Sequence, residues 1–218
     1  GVKMLYGTVP DTISQLIRTA FIPGDNHHFL VADFSAIEAR VIAWLAQEHW
    51  RLDVFNTHGK IYEASASAMF GVPVERIAKG NPEYALRAKG KVAELALGYQ
   101  GAAGALINMG ALNMGLHEEE LPDIVQRWRS SNKRIVDMWY TLENMALRCI
   151  EYGESSALPS GIATTRDEKT LTVTLPSGRQ LFYIEPRVVL GDNGRKQIWY
   201  YGTNQTTRKW ELIQTYGG

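Results

Sequence analysis

Four charged residues have the types and the spacing that a phosphate-handling protein needs. Asp33 follows the apolar run 29–32, and Glu38 comes five residues later. Further along the chain, Arg87 and Lys91 stand four residues apart, which places both cations on one face of a helix. Arginine grips phosphate oxygens through two donors, and a carboxylate supplies the oxygen ligands that magnesium prefers. The sequence therefore combines an acid suited to a metal ion with cations suited to a phosphate.

The stretch around Asp33 predicts a strand, a turn and a helix. The run 29–32 is typical of a buried strand, and residues 37–45 change to an apolar stripe with helical spacing. Ser35 and Glu38 have the spacing of a capping box, in which both side chains close the first turn of the helix. The simpler alternatives are a solvated strand end for Asp33 and a capping role alone for Glu38.

The second stretch predicts a helix whose face begins with Arg87 and Lys91. Leu95 continues this face, and Tyr99 stays close to it. Two cations followed by an apolar residue and an aromatic ring suit a triphosphate with a base at the far end. Residues 76–91 hold five basic residues against one acidic residue, so the simpler alternative is a solvated basic face.

Both stretches resemble motifs of the family A DNA polymerases, the bacterial polymerase I group and its phage relatives. Residues 33–40, Asp-Phe-Ser-Ala-Ile-Glu-Ala-Arg, are similar to the first palm motif, Asp-Tyr-Ser-Gln-Ile-Glu-Leu-Arg. Residues 87–99 are similar to the fingers motif, Arg-x-x-x-Lys-x-x-x-(Phe/Tyr)-Gly-x-x-Tyr. Leu95 replaces the aromatic residue of that motif, and Ala96 replaces the glycine. The sequence of residues 94–99, Glu-Leu-Ala-Leu-Gly-Tyr, is closest to that of the phage and prophage polymerases.

The resemblance implies template-directed transfer of nucleotides from deoxynucleoside triphosphates to the 3′ end of a primer. Asp33 and the backbone carbonyl of Phe34 would hold Mg²⁺, with two ions in the intact enzyme. Asp33 and Lys91 would be catalytic, with Lys91 assisting the leaving pyrophosphate. The partners would be primer–template DNA and deoxynucleotides, without a membrane or an obligate protein partner, and the setting would be cytoplasmic.

The resemblance also assigns binding roles. The implied nucleotide-binding residues are Glu38, Tyr62, Arg87, Lys91, Leu95 and Tyr99. Among them, Glu38 would reject ribonucleotides by crowding the 2′ position of the sugar. Arg40 and Gly101 would contact DNA.

The predicted fold class is α+β, a largely helical fingers subdomain joined to part of an antiparallel palm sheet. We expect residues 1–45 to be the first part of the palm, 46–155 the fingers, and 156–218 a truncated region of β-hairpins leading back into the palm. The hairpins are predicted over 171–184, around Pro-Ser-Gly, and over 188–202, around Asp-Asn-Gly.

Composition sets the remaining limits. Lys+Arg and Asp+Glu are both 23, so no overall charge argues for nucleic acid. Cys149 is the single cysteine, which excludes an internal disulfide. No run of about 18 apolar residues predicts a membrane span.

The family's second metal-binding aspartate belongs to a His-Asp-Glu triplet that this sequence lacks. We therefore expect an excised piece of a polymerase that is inactive by itself. The main alternative is a non-catalytic nucleic-acid-binding module that uses the basic 76–91 region. A weaker alternative is a metal-dependent phosphohydrolase with Asp33 as nucleophile or ligand.

Overall fold

The computed structural model describes residues 8–192 and 194–215. The chain divides into two compact units, the first ending at Ser35 and the second beginning at Ala36. Within the described residues there are eight α-helices and one six-stranded antiparallel sheet, which confirms the α+β prediction. The helices are α1 (Val9–Ile17), α2 (Ile37–Ala46), α3 (His49–Asn56), α4 (Ile61–Phe70), α5 (Leu86–Leu97), α6 (Ala103–Asn108), α7 (Leu121–Ser131) and α8 (Lys133–Tyr152).

The first unit contains α1 and a 3₁₀ turn at Arg18–Ala20. The strand predicted over 29–32 is wrong, because the backbone is irregular and Leu30 and Val31 are 91% and 93% exposed. A strand is held by hydrogen bonds to a neighbouring strand. In the described sheet, β-pairing involves only strands that begin after residue 155.

The start of α2 corrects the predicted capping box. The N-cap residue is Ala36, in the left-handed region at φ 50°, and its side chain makes no capping hydrogen bond. Glu38 is therefore the second helical residue rather than the third, one position short of where a capping-box glutamate stands.

The helical core lies between α4, α5, α7 and α8. α4 spans residues 61–70 and stops at Gly71, which adopts φ 67°. The buried side chains of α5 and α7 interlock, and Trp128 of α7 stacks on Trp139 of α8 with ring centroids 5.8 Å apart. The central members of this core are Val92, Ala93, Leu97, Leu121, Ile124 and Trp128.

The sheet is a meander in which each strand pairs with the next along the chain. The two predicted hairpins are confirmed, although one long strand serves both of them and bends at a register irregularity near Glu185. Part of the second turn, Asn193, lies outside the described residues. The strands are β1 (Ser156–Ala157), β2 (Ala163–Arg166), β3 (Thr170–Thr174), β4 (Gln180–Leu190), β5 (Lys196–Thr203) and β6 (Trp210–Gln214).

The sheet packs against the C-terminal half of α8 through a second, smaller core. Cys149 and Ile150 of α8 meet Leu171 of β3 and Ile198 of β5. Burial raises the pKa of the Cys149 thiol, although the nearby Arg166 and Thr164 act in the opposite direction. Across the described helices, none has both the length and the apolar character needed to cross a membrane.

Candidate functional site

The stripe predicted from sequence lies on α5. Arg87, Lys91 and Leu95 follow one another at four-residue spacing along this helix, and Tyr99 comes just after the helix ends. Arg87 and Lys91 are half-buried, Leu95 is 37% exposed and Tyr99 is 58% exposed. The stripe is therefore accessible to a ligand along its whole length.

The other face of α5 fixes this orientation. Val92, Ala93 and Leu97 are fully buried in the helical core. Gly90 is equally important, because a Cβ atom at this position would lie 2.1 Å from the carbonyl oxygen of Tyr62 in α4. The absence of a side chain at Gly90 lets α5 approach the backbone of α4 closely.

Arg87 contacts two consecutive residues in the first turn of α4. Its Nε donates a hydrogen bond to Glu63 Oε1 at 2.8 Å, and its guanidinium carbon lies 5.3 Å from the centre of the Tyr62 ring. Glu63 was not predicted from the sequence as a site residue. A signal that could have indicated it is an acid beside Tyr62, a position already expected to lie near the nucleotide.

Lys91 lies one turn beyond Arg87. In the part of the chain that the structure describes, no carboxylate pairs with its ammonium group. A half-buried cation that has no partner among the described residues is available to an anionic ligand such as a phosphate.

Glu38 and Tyr99, for which the sequence predicts a shared nucleotide-binding role, are brought together. Burial raises the pKa of the Tyr99 phenol, and the hydrogen bond to the Glu38 carboxylate and its negative charge raise it further. The Glu38 carboxylate of α2 therefore lies next to the aromatic end of the α5 stripe.

The two residues expected to contact DNA have structural contacts of their own. The guanidinium of Arg40 lies 4.4 Å from the centre of the Phe55 ring. A Cβ atom at Gly101 would lie 2.1 Å from the Ala96 carbonyl oxygen, and the Gly101 carbonyl accepts a hydrogen bond from Arg129 Nη2 at 3.2 Å. Neither contact tests the predicted DNA-binding role.

Asp33 and Phe34 belong to the first unit, in the irregular segment before Ala36. Both are exposed, Phe34 at 81%. A carboxylate and a backbone carbonyl are hard oxygen donors that suit Mg²⁺. Across the described residues, no cluster of three or more His, Cys, Asp or Glu side chains forms a metal-binding group. These donors fit as one part of a magnesium site, which would need further ligands.

A buried polar network next to the stripe was not predicted. The terminal nitrogens of Arg51 in α3 bind the Glu94 carboxylate of α5, and Nη1 also donates to Asn132 Oδ1 at 2.9 Å. Trp128 Nε1 donates to Glu94 Oε1 at 2.9 Å. Arg51 is 1% exposed and Asn132 is fully buried, so this buried network connects α5 to α3 and α7.

Comparison with known proteins identifies the family of this chain. Residues 8–146 match the family described as DNA polymerase family A. The chain is 55% identical over 217 residues to the DNA polymerase of Bacillus phage SP02, covering 100% of this chain and 33% of that protein. It is 39% identical over 61 residues to DNA polymerase I of Pseudomonas aeruginosa, covering 28% of this chain and 7% of that protein. It is 46% identical over 59 residues to DNA polymerase I of Rhizobium leguminosarum, covering 27% of this chain and 6% of that protein.

The chain therefore belongs to the family A DNA polymerases. It spans a third of the length of the phage relative, and much smaller shares of the bacterial ones. The predicted family is confirmed, and the particular roles of the site residues stay predictions.

Proposed function

We propose that this chain supplies the nucleotide-binding surface and one metal-binding acid of a template-directed DNA polymerase. The observation that carries the proposal is the stripe on α5, where Arg87 and Lys91 lead to Leu95 and Tyr99. A deoxynucleoside triphosphate has three matching parts, namely a polyanion, a sugar and a flat base.

Each part of the ligand has a counterpart in the chain. Arg87 and Lys91 bind the triphosphate, with Lys91 assisting the leaving pyrophosphate. Tyr99 and Leu95 lie against the base or sugar, and Glu38, which contacts Tyr99, crowds the 2′ position of the sugar. Tyr62 borders the same surface through its contact with Arg87.

Asp33 and the Phe34 carbonyl would provide oxygen ligands for Mg²⁺. When bound, two such ions stabilise the attacking and leaving oxygens of an in-line displacement. Because one carboxylate does not complete this site, and the sequence has no His-Asp-Glu triplet, we propose that the chain alone does not extend primers.

The proposed substrates are deoxynucleotides and primer–template DNA, with Arg40 and Gly101 on the DNA side. In the intact enzyme, which we place in the cytoplasm, residues 1–45 contribute to the palm and 46–155 form the fingers. Residues 156–218 lead back into the palm.

A chimera tests this function directly. The third of the phage SP02 polymerase that aligns with this chain is replaced by the chain itself, a substitution that the 55% identity makes conservative. Primer extension is measured for the chimera, for its Asp33→Asn variant and for the 218-residue chain alone. Asp53→Asn is the control, since Asp53 is exposed and lies on α3.

We expect the chimera and Asp53→Asn to extend primers. Asp33→Asn should lose extension while it still binds DNA in a gel-shift assay, and the chain alone should be inactive. Extension that survives Asp33→Asn would contradict the role of this acid. Metal-dependent extension by the chain alone would contradict its proposed inactivity. A folded chimera that binds DNA without extending primers would favour a non-catalytic binding module.

A further inference from the structure

Glu63 and Arg87 form an ion pair in which the carboxylate accepts from Nε of the arginine rather than from its terminal nitrogens. An arginine guanidinium has five N–H donors, one on Nε and four on the two terminal nitrogens. Glu63 takes the Nε–H at 2.8 Å. Throughout residues 8–192 and 194–215, the terminal nitrogens of Arg87 have no hydrogen bond to protein. The edge that can bind a phosphate through two donors is therefore left available.

The surroundings restrict where this edge can point. The centre of the Tyr62 ring lies 5.3 Å from the guanidinium carbon, so Arg87 has an aromatic neighbour in addition to the Glu63 carboxylate. The side chain of Glu63 is only 15% exposed and that of Arg87 is 34% exposed, so the pair is partly shielded from water. The close approach at Gly90, three residues from Arg87, fixes the separation of the two helices.

We propose that Glu63 is a positioning residue for triphosphate binding, acting through Arg87. It holds Nε so that the two terminal nitrogens stay directed outward as a fork for phosphate oxygens. This inference rests on the proposed function, because it deepens the role given there to Arg87.

The opposite possibility has a distinct physical consequence. If Glu63 competed with the triphosphate for Arg87, removing the carboxylate would free the cation and strengthen nucleotide binding. If Glu63 positions Arg87, removing it lets the long side chain reorient and weakens binding. The two possibilities therefore predict changes of opposite sign in the KM for a deoxynucleotide.

The test measures KM and kcat for dATP incorporation by the chimera. We expect Glu63→Ala to raise KM about tenfold, the effect of losing one hydrogen bond to a charged group. We expect kcat to change much less, since chemistry follows once the nucleotide is bound. Glu63→Gln should stay close to the parent, because the amide oxygen still accepts from Nε.

A double-mutant cycle separates positioning from a purely structural role. In an Arg87→Ala background, Glu63→Ala should have no further effect on KM, because the residue through which it acts is gone. Glu120→Gln is the matched control. Its carboxylate pairs with Lys89 of the same helix at 2.8 Å and has no contact with Arg87. It should leave KM unchanged whatever it does to thermal stability.

A lower KM in Glu63→Ala, or additive effects in the cycle, would overturn the inference and leave the proposed function standing. If Arg87→Ala itself left KM and kcat unchanged, the proposed function of Arg87 would fall, and this inference with it. Calorimetric titration of the 218-residue chain with dATP provides a second measurement. The parent should bind more tightly than Glu63→Ala, and equal affinities would contradict the inference.

Discussion

At the scale of single residues, the contact between Glu38 and Tyr99 is open to direct measurement. The Tyr99 pKa is raised first by burial and then by Glu38. We predict that Glu38→Gln lowers this pKa without restoring its ordinary value, because burial remains. ¹³C NMR of the tyrosine rings in the 218-residue chain, with Tyr99→Phe for assignment, measures the change. An unchanged pKa would show that the two side chains do not meet in solution.

The same raised pKa has a consequence for stability. The folded chain holds the phenol proton more tightly than the unfolded chain, whose tyrosines titrate near pH 10. The contribution of Tyr99 to stability is therefore complete below this pH and is lost as the pH rises above it. The lost contribution should be smaller in Glu38→Gln.

Glu38 also allows a functional prediction. We expect Glu38→Ala in the chimera to increase incorporation of ribonucleotides relative to deoxynucleotides, because the carboxylate no longer crowds the 2′ hydroxyl. Parallel primer-extension assays with ATP and dATP measure the ratio. If the ratio stays that of the parent chimera, the sugar-discrimination role is wrong. A capping-box role would not then explain Glu38, since the cap position of α2 is Ala36.

At the scale of elements, the packing of α4 against α5 depends on Gly90. We predict that Gly90→Ala destabilises the chain by about 1–3 kcal/mol, because the added Cβ would lie 2.1 Å from a backbone oxygen. Urea unfolding followed by tryptophan fluorescence measures the change. Gly104→Ala on α6 is the control. It has open space around it and should leave stability unchanged or raise it by up to about 1 kcal/mol.

The Arg51–Glu94 pair is a second connection between elements. We predict that Arg51→Met costs about 3–5 kcal/mol of unfolding free energy, because it leaves the Glu94 carboxylate buried without its cation. Adding Glu94→Gln should recover much of the loss, since a neutral amide still accepts from Trp128 Nε1. A double variant no more stable than Arg51→Met would contradict this explanation.

Local signals predicted α2, α5 and the two hairpins of the sheet. α4 ends at Gly71 because glycine adopts a left-handed conformation easily, and the two hairpins follow from their turn residues. The stripe on α5 follows from spacing alone. Local signals could not show whether residues 29–32 form a strand, because an apolar run forms a strand only where a partner strand exists.

The contacts that complete the site are distant in sequence. Glu63 and Arg87 are 24 residues apart, and Arg51 and Glu94 are 43 apart. No periodicity within one helix could pair them. The start of α2 was missed for another reason. The capping-box pattern of Ser35 and Glu38 fits only a helix that is capped at Ser35, whereas the backbone places Ala36 at the cap.

At the scale of the whole molecule, the balance of 23 basic and 23 acidic residues leaves no overall field to attract polyanions. The proposed nucleotide binding must then depend on a few cations in fixed positions. Single substitutions at these positions should have large effects, while substitutions at other basic residues should have small ones.

Lys91 provides the most direct test of this account. Single-turnover addition of dATP is measured for the chimera, for Lys91→Ala and for Lys79→Ala, whose lysine is exposed before α5 begins. We predict that Lys91→Ala slows nucleotide addition about 100-fold, the effect of removing a group that stabilises developing charge. Lys79→Ala should stay within about twofold of the parent, as expected for a surface charge. Nucleotide addition as fast in Lys91→Ala as in Lys79→Ala would contradict the claim that α5 binds and activates the triphosphate.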